Sequence, residues 1–354
     1  MVFVAEGTSS QQDVSQRNLE RTMRTVIITG ANSGIGFATA KHLAGFPNWH
    51  VLLACRDASK ASSAISAIKE KYQEARLSFA HLDLFSLASV RLFPKILAAK
   101  RLPCVGGLIL NAGGPNIKSS PEFTEDGFEK AFQLNFLGHF LLTNLLIREM
   151  NADARVIFVS SDLHDPDATR MGKIMGPKFG PVEDLARATA SASKLKPLAR
   201  YATAKLYTMM TAYELDRRLR QAGHSLTVNC WSPGVVPTTA AGRGMNPLMK
   251  RLITSNWFVN FMGSHLSTEE EAARDVSDLL VSPKYSGVSG KYFDGSQQIA
   301  SSVESRDPIK AQTVWEQSQR LVGISREEPS LARTRAISEP HTSASTAEWN
   351  MDSK

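Results

Sequence analysis

Tyr201 and Lys205 are the residues in this 354-residue chain whose types and spacing most directly suggest chemistry. If Tyr201-Ala202-Thr203-Ala204-Lys205 is helical, Lys205 lies one turn after Tyr201 on the same face, roughly 5–6 Å away. An ammonium beside a phenol favours the phenolate and lowers a pKa that starts near about 10. A phenol tuned in this way can pass protons near neutral pH. Alone, the pair is two common residues at helical spacing, and most such pairs only decorate an exposed helix face. Its meaning depends on what the surrounding elements bring to it.

The first such element is the β-branched run Thr25-Val26-Ile27-Ile28-Thr29, suited to a buried parallel strand. It ends in Gly30-Ala31-Asn32-Ser33-Gly34-Ile35-Gly36, which opens a helical pattern through Ala44. Strand, glycine turn and helix are the context in which such a turn binds a pyrophosphate, because backbone N–H groups and the helix N-terminus face the anion where side chains are absent; the alternative is a plain glycine-rich βα turn. A second strand, Trp49 to Ala54, leads into Cys55-Arg56-Asp57. An acid at this strand end takes a ribose 2′-hydroxyl, whereas an arginine accommodates a 2′-phosphate. Arg56 favours the phosphorylated nucleotide, and Asp57 or Ser59 reads as the N-cap of a helix from Lys60 to Glu74.

A strand from Leu77 to Leu82 ends at Asp83-Leu84, where the acid either holds an adenine amino group or caps a helix from Ser86 to Lys100. The strand Val105–Leu110 is followed by Asn111-Ala112-Gly113-Gly114, small residues that let backbone approach a flat ring. A long amphipathic helix is expected over 124–150. Within it, Asn135 is a polar residue in an otherwise apolar stretch and must find partners. The strand 155–159 ends in Ser160-Ser161, and Tyr201 follows Ser161 by forty positions across a Pro-, Gly-, Ala- and Lys-rich segment. Loops of that length are usually lids or disordered. Further on come a helix over 204–222, a strand over 225–231, the turn Pro233-Gly234-Val235-Val236-Pro237-Thr238, a helix over 268–281, a strand over 291–293 and a helix over 309–321.

Composition narrows the classes. Apolar residues make up 42% of the chain, ample for a core. The formal charge of +7 is scattered without a Lys/Arg run, so nucleic acid is not an expected partner. The cysteines are Cys55, Cys104 and Cys230, an odd number without a C-x-x-C, so neither a disulfide framework nor a metal site is expected and a reducing, cytoplasmic setting is the default. No run approaches about 18 apolar residues, the length that reads as a spanning helix. The greasy stretch 245–266 reads as a substrate flap, as a peripheral membrane-surface helix or as ordinary packing and a homo-oligomer surface. Residues 1–23 read as a flexible arm and 324–354 as a disordered tail.

Strands and helices alternate from 24 to about 293, which argues for a Rossmann-like α/β fold, a doubly wound parallel sheet in a single domain over 24–323. The order Thr29-Gly30-x-x-x-Gly34-Ile35-Gly36, Asn111-Ala112-Gly113, Asn135, Ser161, Tyr201-x-x-x-Lys205 and Pro233-Gly234 resembles the short-chain dehydrogenase/reductase family. Ala54-Cys55-Arg56-Asp57, Ala212-Tyr213-Glu214-Leu215 and the segment 301–323 resemble the branch containing retinol dehydrogenases and protochlorophyllide reductases. The resemblance implies a catalytic tetrad. Tyr201 would be the acid in reduction and the base in oxidation. Lys205 would lower its pKa and hold the nicotinamide ribose. Ser161, the second serine of its pair, would bond the substrate oxygen, and Asn135 would position a water linking Lys205 to solvent. The cofactor would be NADP(H), held by Gly30, Asn32, Ser33, Gly34, Ile35, Gly36, Arg56, Asp83, Leu84, Asn111, Ala112, Gly113, Tyr201, Lys205, Pro233, Gly234 and Val236, with Thr238 on the nicotinamide carboxamide. No metal is implied. The segments 162–200 and 240–266 would cover a small lipophilic carbonyl or alcohol of retinoid, steroid, polyketide or terpenoid type. The alternative is a catalytically silent NADP(H)-sensing regulator, a class that usually lacks the Tyr/Lys pair.

Overall fold

Val26, Ile27, Ile28 and Thr29 have no exposed surface, as a β-branched run covered on both faces requires. They belong to β1 (Arg24–Thr29) in a computed structural model that describes residues 22–115, 118, 120–189, 192–236, 255 and 266–324. Beside β1 run β2 (Trp49–Cys55) and β3 (Leu77–His81) on one side. On the other lie β4 (Val105–Leu110), β5 (Met150–Val159), β6 (Thr227–Ser232), β7 (Lys291–Asp294) and β8 (Gln297–Ile299). The sheet order is β3-β2-β1-β4-β5-β6-β7-β8. All neighbours are parallel except β7 and β8, which pair antiparallel with Tyr292 opposite Ile299. The order reverses between β1 and β4, and a ligand crevice opens at the carboxyl ends beside such a reversal.

Two apolar layers cover the sheet. On one face lie α1 (Gly34–Leu43), α2 (Ala58–Lys69) and, later in the chain, the helix Glu269–Val281. On the other lie α3 (Leu87–Ala99), α4, α7 (Pro197–Gln221) and the helix Pro308–Leu321, with the long first stretch of α7 buried almost without interruption from Ala202 to Ala212. Here α4 is a composite, running from Lys130–Phe132 through the π turn Gln133–Leu137 to Gly138–Leu146. The two remaining short helices are α5 (Arg170–Met175) and α6 (Val182–Ala186), and we number Glu269–Val281 α8 and Pro308–Leu321 α9. Trp315 of α9 is fully buried, edge-on to Phe140 at 5.0 Å, with the Arg218 guanidinium 5.0 Å over its ring. Truncating such a side chain costs about 3–5 kcal/mol, so α9 is part of the core and not an appendage.

Several boundaries differ from the sequence expectation. The helix expected over 124–150 starts at Lys130, because Gly127 takes a positive φ of 76° and the Glu129 side chain caps Phe132 N–H at 2.7 Å. It ends before Met150, which opens β5 instead. β8 was not expected: three residues, all exposed, carry no readable alternation. The segment 162–200 is not a structureless loop. Lys178 N–H bonds Thr203 Oγ1 at 2.9 Å, Gly180 N–H bonds Tyr207 Oη at 3.0 Å, and Val182 N–H bonds Gln317 Oε1 at 2.8 Å, so it is stitched to α7 and α9. Ile324, placed with the tail by its composition, is buried in the core; the arm over 1–21 and the tail from 325 lie outside the described residues. So do Thr238 and all of 245–266 except Ser255 and Leu266.

The start of α7 is fixed by a buried cation. Arg200 donates to Leu195 O at 2.8 Å and to Lys118 O at 2.7 Å, and its Nε lies 3.6 Å from Glu129 Oε1. Burial raises the Glu129 carboxyl, against the opposing pull of the Phe132 N–H and of Arg200. A buried pair of this kind adds little net stability; its arginine lies one residue before Tyr201.

Candidate active site

The turn after β1 needs glycine for two physical reasons. Gly30 and Gly34 take φ of 67° and 58°, a region L side chains avoid. Gly36 is a matter of space: a Cβ there would stand 2.5 Å from Asn111 Nδ2 and 2.6 Å from Gly30 O. Asn111 in turn donates to Thr29 O at 2.8 Å, and Ala112 N–H to Thr29 Oγ1 at 2.9 Å, tying the end of β4 to the end of β1. Ser33, the N-cap of α1, makes no capping hydrogen bond, so the first-turn N–H groups and the helix dipole face outward. Ile35 is half-buried behind them.

Beside this turn lies an open cavity of about 320 Å³, lined by Gly30, Asn32, Ser33, Arg56, Asp57, Lys60, Asp83, Leu84, Phe85 and Ala112 among others. The Arg56 guanidinium stacks 5.4 Å over the Phe85 ring and makes no ion pair among the described residues. Asp57 is the N-cap of α2. It accepts from Lys60 N–H at 3.0 Å and faces Lys60 Nζ at 3.5 Å, and these contacts, the backbone bond first, hold its carboxyl below the usual range. The acid is therefore committed to the helix and the arginine is not. Asp83 is not the cap of α3; Ser86 is, while Asp83 Oδ1 accepts from Phe85 N–H at 3.0 Å. The Cys55 thiol beneath is pushed up to about 11 by burial, which keeps it protonated.

The second half of the site lies at the carboxyl ends of β4 and β5. Lys205 is 2% exposed and donates to Val159 O at 2.7 Å. Its Nζ stands 5.7 Å from the Tyr201 ring centroid, and burial lowers its pKa to about 8. Ser161 donates to Asp162 Oδ1 at 3.1 Å and accepts from Leu163 N–H at 3.3 Å, and its hydroxyl lies close enough to the Tyr201 phenol to act on its pKa. Its neighbour Ser160 is buried with no partner for its hydroxyl among the described residues. Asn135 sits in the π turn. Oδ1 accepts from Gly114 N–H at 2.9 Å, and Nδ2 donates to Gly114 O at 3.0 Å and to Ala131 O at 2.7 Å. A Cβ on Gly113 would meet Asn135 Oδ1 at 2.4 Å and Lys205 Nζ at 3.4 Å. Asn135, Gly113 and Lys205 thus converge, and the Tyr201 ring stands beside Lys205. Pro233, Gly234 and Val236 follow β6 at the same edge of the sheet, where Val235 pairs with Leu266.

The family model described as short chain dehydrogenase matches residues 24–172, and one described as the AcuH dehydrogenase domain matches residues 252–331. Retinol dehydrogenase 13 of Homo sapiens is 38% identical over 305 residues, spanning 85% of each chain. The chain belongs to the short-chain dehydrogenase/reductase family. Within it, this dehydrogenase/reductase falls in the branch of the retinol dehydrogenases and protochlorophyllide reductases: protochlorophyllide reductase B of Oryza sativa subsp. japonica is 33% identical over 326 residues, covering 86% of this chain and 79% of that one. Among solved structures, a crystal structure of an uncharacterized protein from Mycobacterium Paratuberculosis matches with a TM-score of 0.61 and 28% identity, over 85% of this chain and 93% of that one.

One expectation for this dehydrogenase/reductase changes with the geometry. The Tyr201 phenol is raised and not lowered: burial dominates, the nearby Ser161 hydroxyl opposes it, and Asp162 adds to the rise. The Lys205 ammonium is turned onto Val159 O and does not offset the burial. Sequence reasoning also passed over two histidines. His139 is buried with Nε2 3.0 Å from Thr29 Oγ1; burial, then Lys205, drives its pKa to about 3, with the Asn135 backbone opposing the fall. The signal was present, since His139 stands four residues after Asn135 on an apolar helix, the spacing of facing side chains. His164, three residues after Ser161, is taken up below.

Proposed function

We propose that the protein is an NADP(H)-dependent oxidoreductase that interconverts a carbonyl and an alcohol on a lipophilic substrate. The observation that carries this reading is the convergence of Asn135, Gly113 and Lys205 with the Tyr201 ring 5.7 Å from Lys205 Nζ, at the carboxyl end of the sheet that also carries the glycine turn and Arg56. The cradle suits a dinucleotide. Gly30, Asn32, Ser33, Gly34, Ile35 and Gly36 would hold the pyrophosphate, Arg56 a 2′-phosphate, and Asp83 and Leu84 the adenine. Asn111, Ala112 and Gly113 would flank the nicotinamide side, with Pro233, Gly234 and Val236 beyond it. Lys60, in the same cavity, adds a second cation near Arg56.

When bound, the cofactor supplies or accepts the hydride. The chain's own residues handle the oxygen. Ser161 Oγ and the Tyr201 phenol define a point where a carbonyl oxygen is bonded by both, and negative charge growing on it is stabilised there more than in the ground state. Tyr201 then donates its proton to that oxygen. A phenol kept protonated by burial is an acid ready for reduction; oxidation requires its proton to leave first. Lys205, cationic below about 8, would bind the ribose hydroxyls and favour the phenolate once that proton has gone. The carbonyl of Asn135 already accepts from Thr208 Oγ1 at 3.2 Å, and a water joining Asn135 to Lys205 would bind at Oδ1, beside Gly113.

The lipophilic substrate class rests on relatives named for retinol, protochlorophyllide and, at 33% identity, polyprenol. Segments 162–200 and 240–266 would cover it. The test is titration with NADPH and NADH, followed by turnover on long-chain and ring-bearing ketones and aldehydes. NADPH preference with reduction of a lipophilic carbonyl is the expected result. Preference for NADH, or binding without turnover of any of them, would overturn the reading.

A further inference from the structure

Ser161 opens the single 3-10 turn Asp162–His164, and the residue that closes the turn reaches back to it. His164 is 1% exposed, with Nδ1 2.6 Å from the backbone oxygen of Ser161 and Nε2 3.3 Å from the backbone nitrogen of Ser302. The Ser302 N–H can only donate, so Nε2 is the acceptor, and the proton of the neutral ring is on Nδ1. Nδ1–H therefore donates to Ser161 O. The ring stands edge-on to Tyr292 at 5.0 Å. Burial disfavours its cation.

Ser302 belongs to a buried serine knot. Ser305 N–H donates to Ser302 Oγ at 3.2 Å, and Ser305 Oγ donates to Ser302 O at 2.8 Å and lies 2.9 Å from Ser301 Oγ. Ser301 Oγ lies 2.7 Å from the Tyr213 hydroxyl, on α7 two turns beyond Lys205. The segment 301–305 is thus fixed to the catalytic helix at one end and, through one imidazole, to the serine loop at the other. Two separate pieces of chain that must hold register, the Ser161 loop and α7, share one tether.

We propose that His164 is a positioning residue for the reaction: by bridging Ser161 O to Ser302 N–H it holds the Ser161 hydroxyl against the Tyr201 phenol and makes segment 301–305 a working part of the active site. The inference rests on the role given to Ser161 above. A displacement of about 1 Å at a reacting group can cost about a hundredfold in rate, which is the scale on which a lost tether would act.

The test is a double-mutant cycle read in kcat and in NADPH affinity. His164→Phe keeps the ring but has no nitrogens, His164→Asn keeps a donor at the Nδ1 position, and His164→Gln places its polar group at the Nε2 position. Phe lowers kcat by about tenfold to a hundredfold with NADPH affinity unchanged. Asn restores most of that loss and Gln does not, because the bond to Ser161 is the one that acts. In the Ser161→Ala background His164→Phe changes kcat less than about twofold, since residues acting through one another are not additive. Additive losses in the double variant, or wild-type kcat in His164→Phe, would overturn the proposal. If the Phe variant does not fold, Gln and Asn decide it alone: equal kcat in the two would overturn it. Wild-type kcat in Ser161→Ala would instead overturn the underlying role of Ser161, a separate outcome.

Discussion

His139 makes a quantitative prediction because its burial disfavours the charged ring. The ring is 2% exposed and its Nε2 faces the Thr29 hydroxyl. Among the described residues the cation pressing on it is Lys205, itself held by Val159 O. Its pKa falls to about 3 in the folded chain, against about 6.5 in the unfolded one. Between those values the unfolded chain binds a proton that the folded chain refuses. Stability is therefore complete above about 6.5 and declines as the pH falls through the window. At pH 5 the loss is about 1.5 pK units, or about 2 kcal/mol, whether the folded value is 3 or a unit higher. Urea unfolding of the cofactor-free protein and of His139→Gln, each at about pH 7.5 and pH 5, isolates this contribution. The variant is less stable at both pH values, but its stability changes less between them, by about 2 kcal/mol. His164 is also shifted down by burial, and it cancels because it is present in both proteins. An equal pH dependence in wild type and variant would refute the reasoning, and would mean that His139 finds solvent or a partner on protonation.

Two further results follow from the nucleotide cavity. Arg56→Ala weakens NADPH by at least about tenfold, the worth of a charged hydrogen bond, and leaves NADH unchanged; Asp57→Ala removes the N-cap of α2 and lowers the unfolding temperature but does not change the preference between the two, both measured by calorimetric titration and thermal unfolding. Gly36→Ala drives a methyl into Gly30 O and Asn111 Nδ2, at 2.6 and 2.5 Å, so it costs binding of NADPH and NADH alike; wild-type affinity for either in a fluorescence titration would show that the turn relaxes more easily than the packing implies.

Much of this was legible because it is local. The β-branched run of β1, the glycine turn and the Asp57 cap each declare themselves within a few residues, and the parallel sheet follows from the alternation of strands with helices. What was not legible depends on contacts between distant parts of the chain. The direction of the Tyr201 shift is decided by burial and by Asp162, not by the helical neighbour Lys205. The π turn that aims Asn135 at Gly114 leaves no mark in composition. The 162–200 segment reads as a loop because its ordering partners, Thr203, Tyr207 and Gln317, lie up to 135 positions away. His164 and Ser302 are 138 apart.

The central claim is that Tyr201 moves the proton, and single-turnover reduction with bound NADPH tests it most directly. Tyr201→Phe keeps the ring under Lys205 and removes only the hydroxyl. The account predicts a rate lower by about 10²–10⁴-fold with NADPH affinity unchanged. A rate within about twofold of wild type would contradict it, because another group would then have to protonate the oxygen.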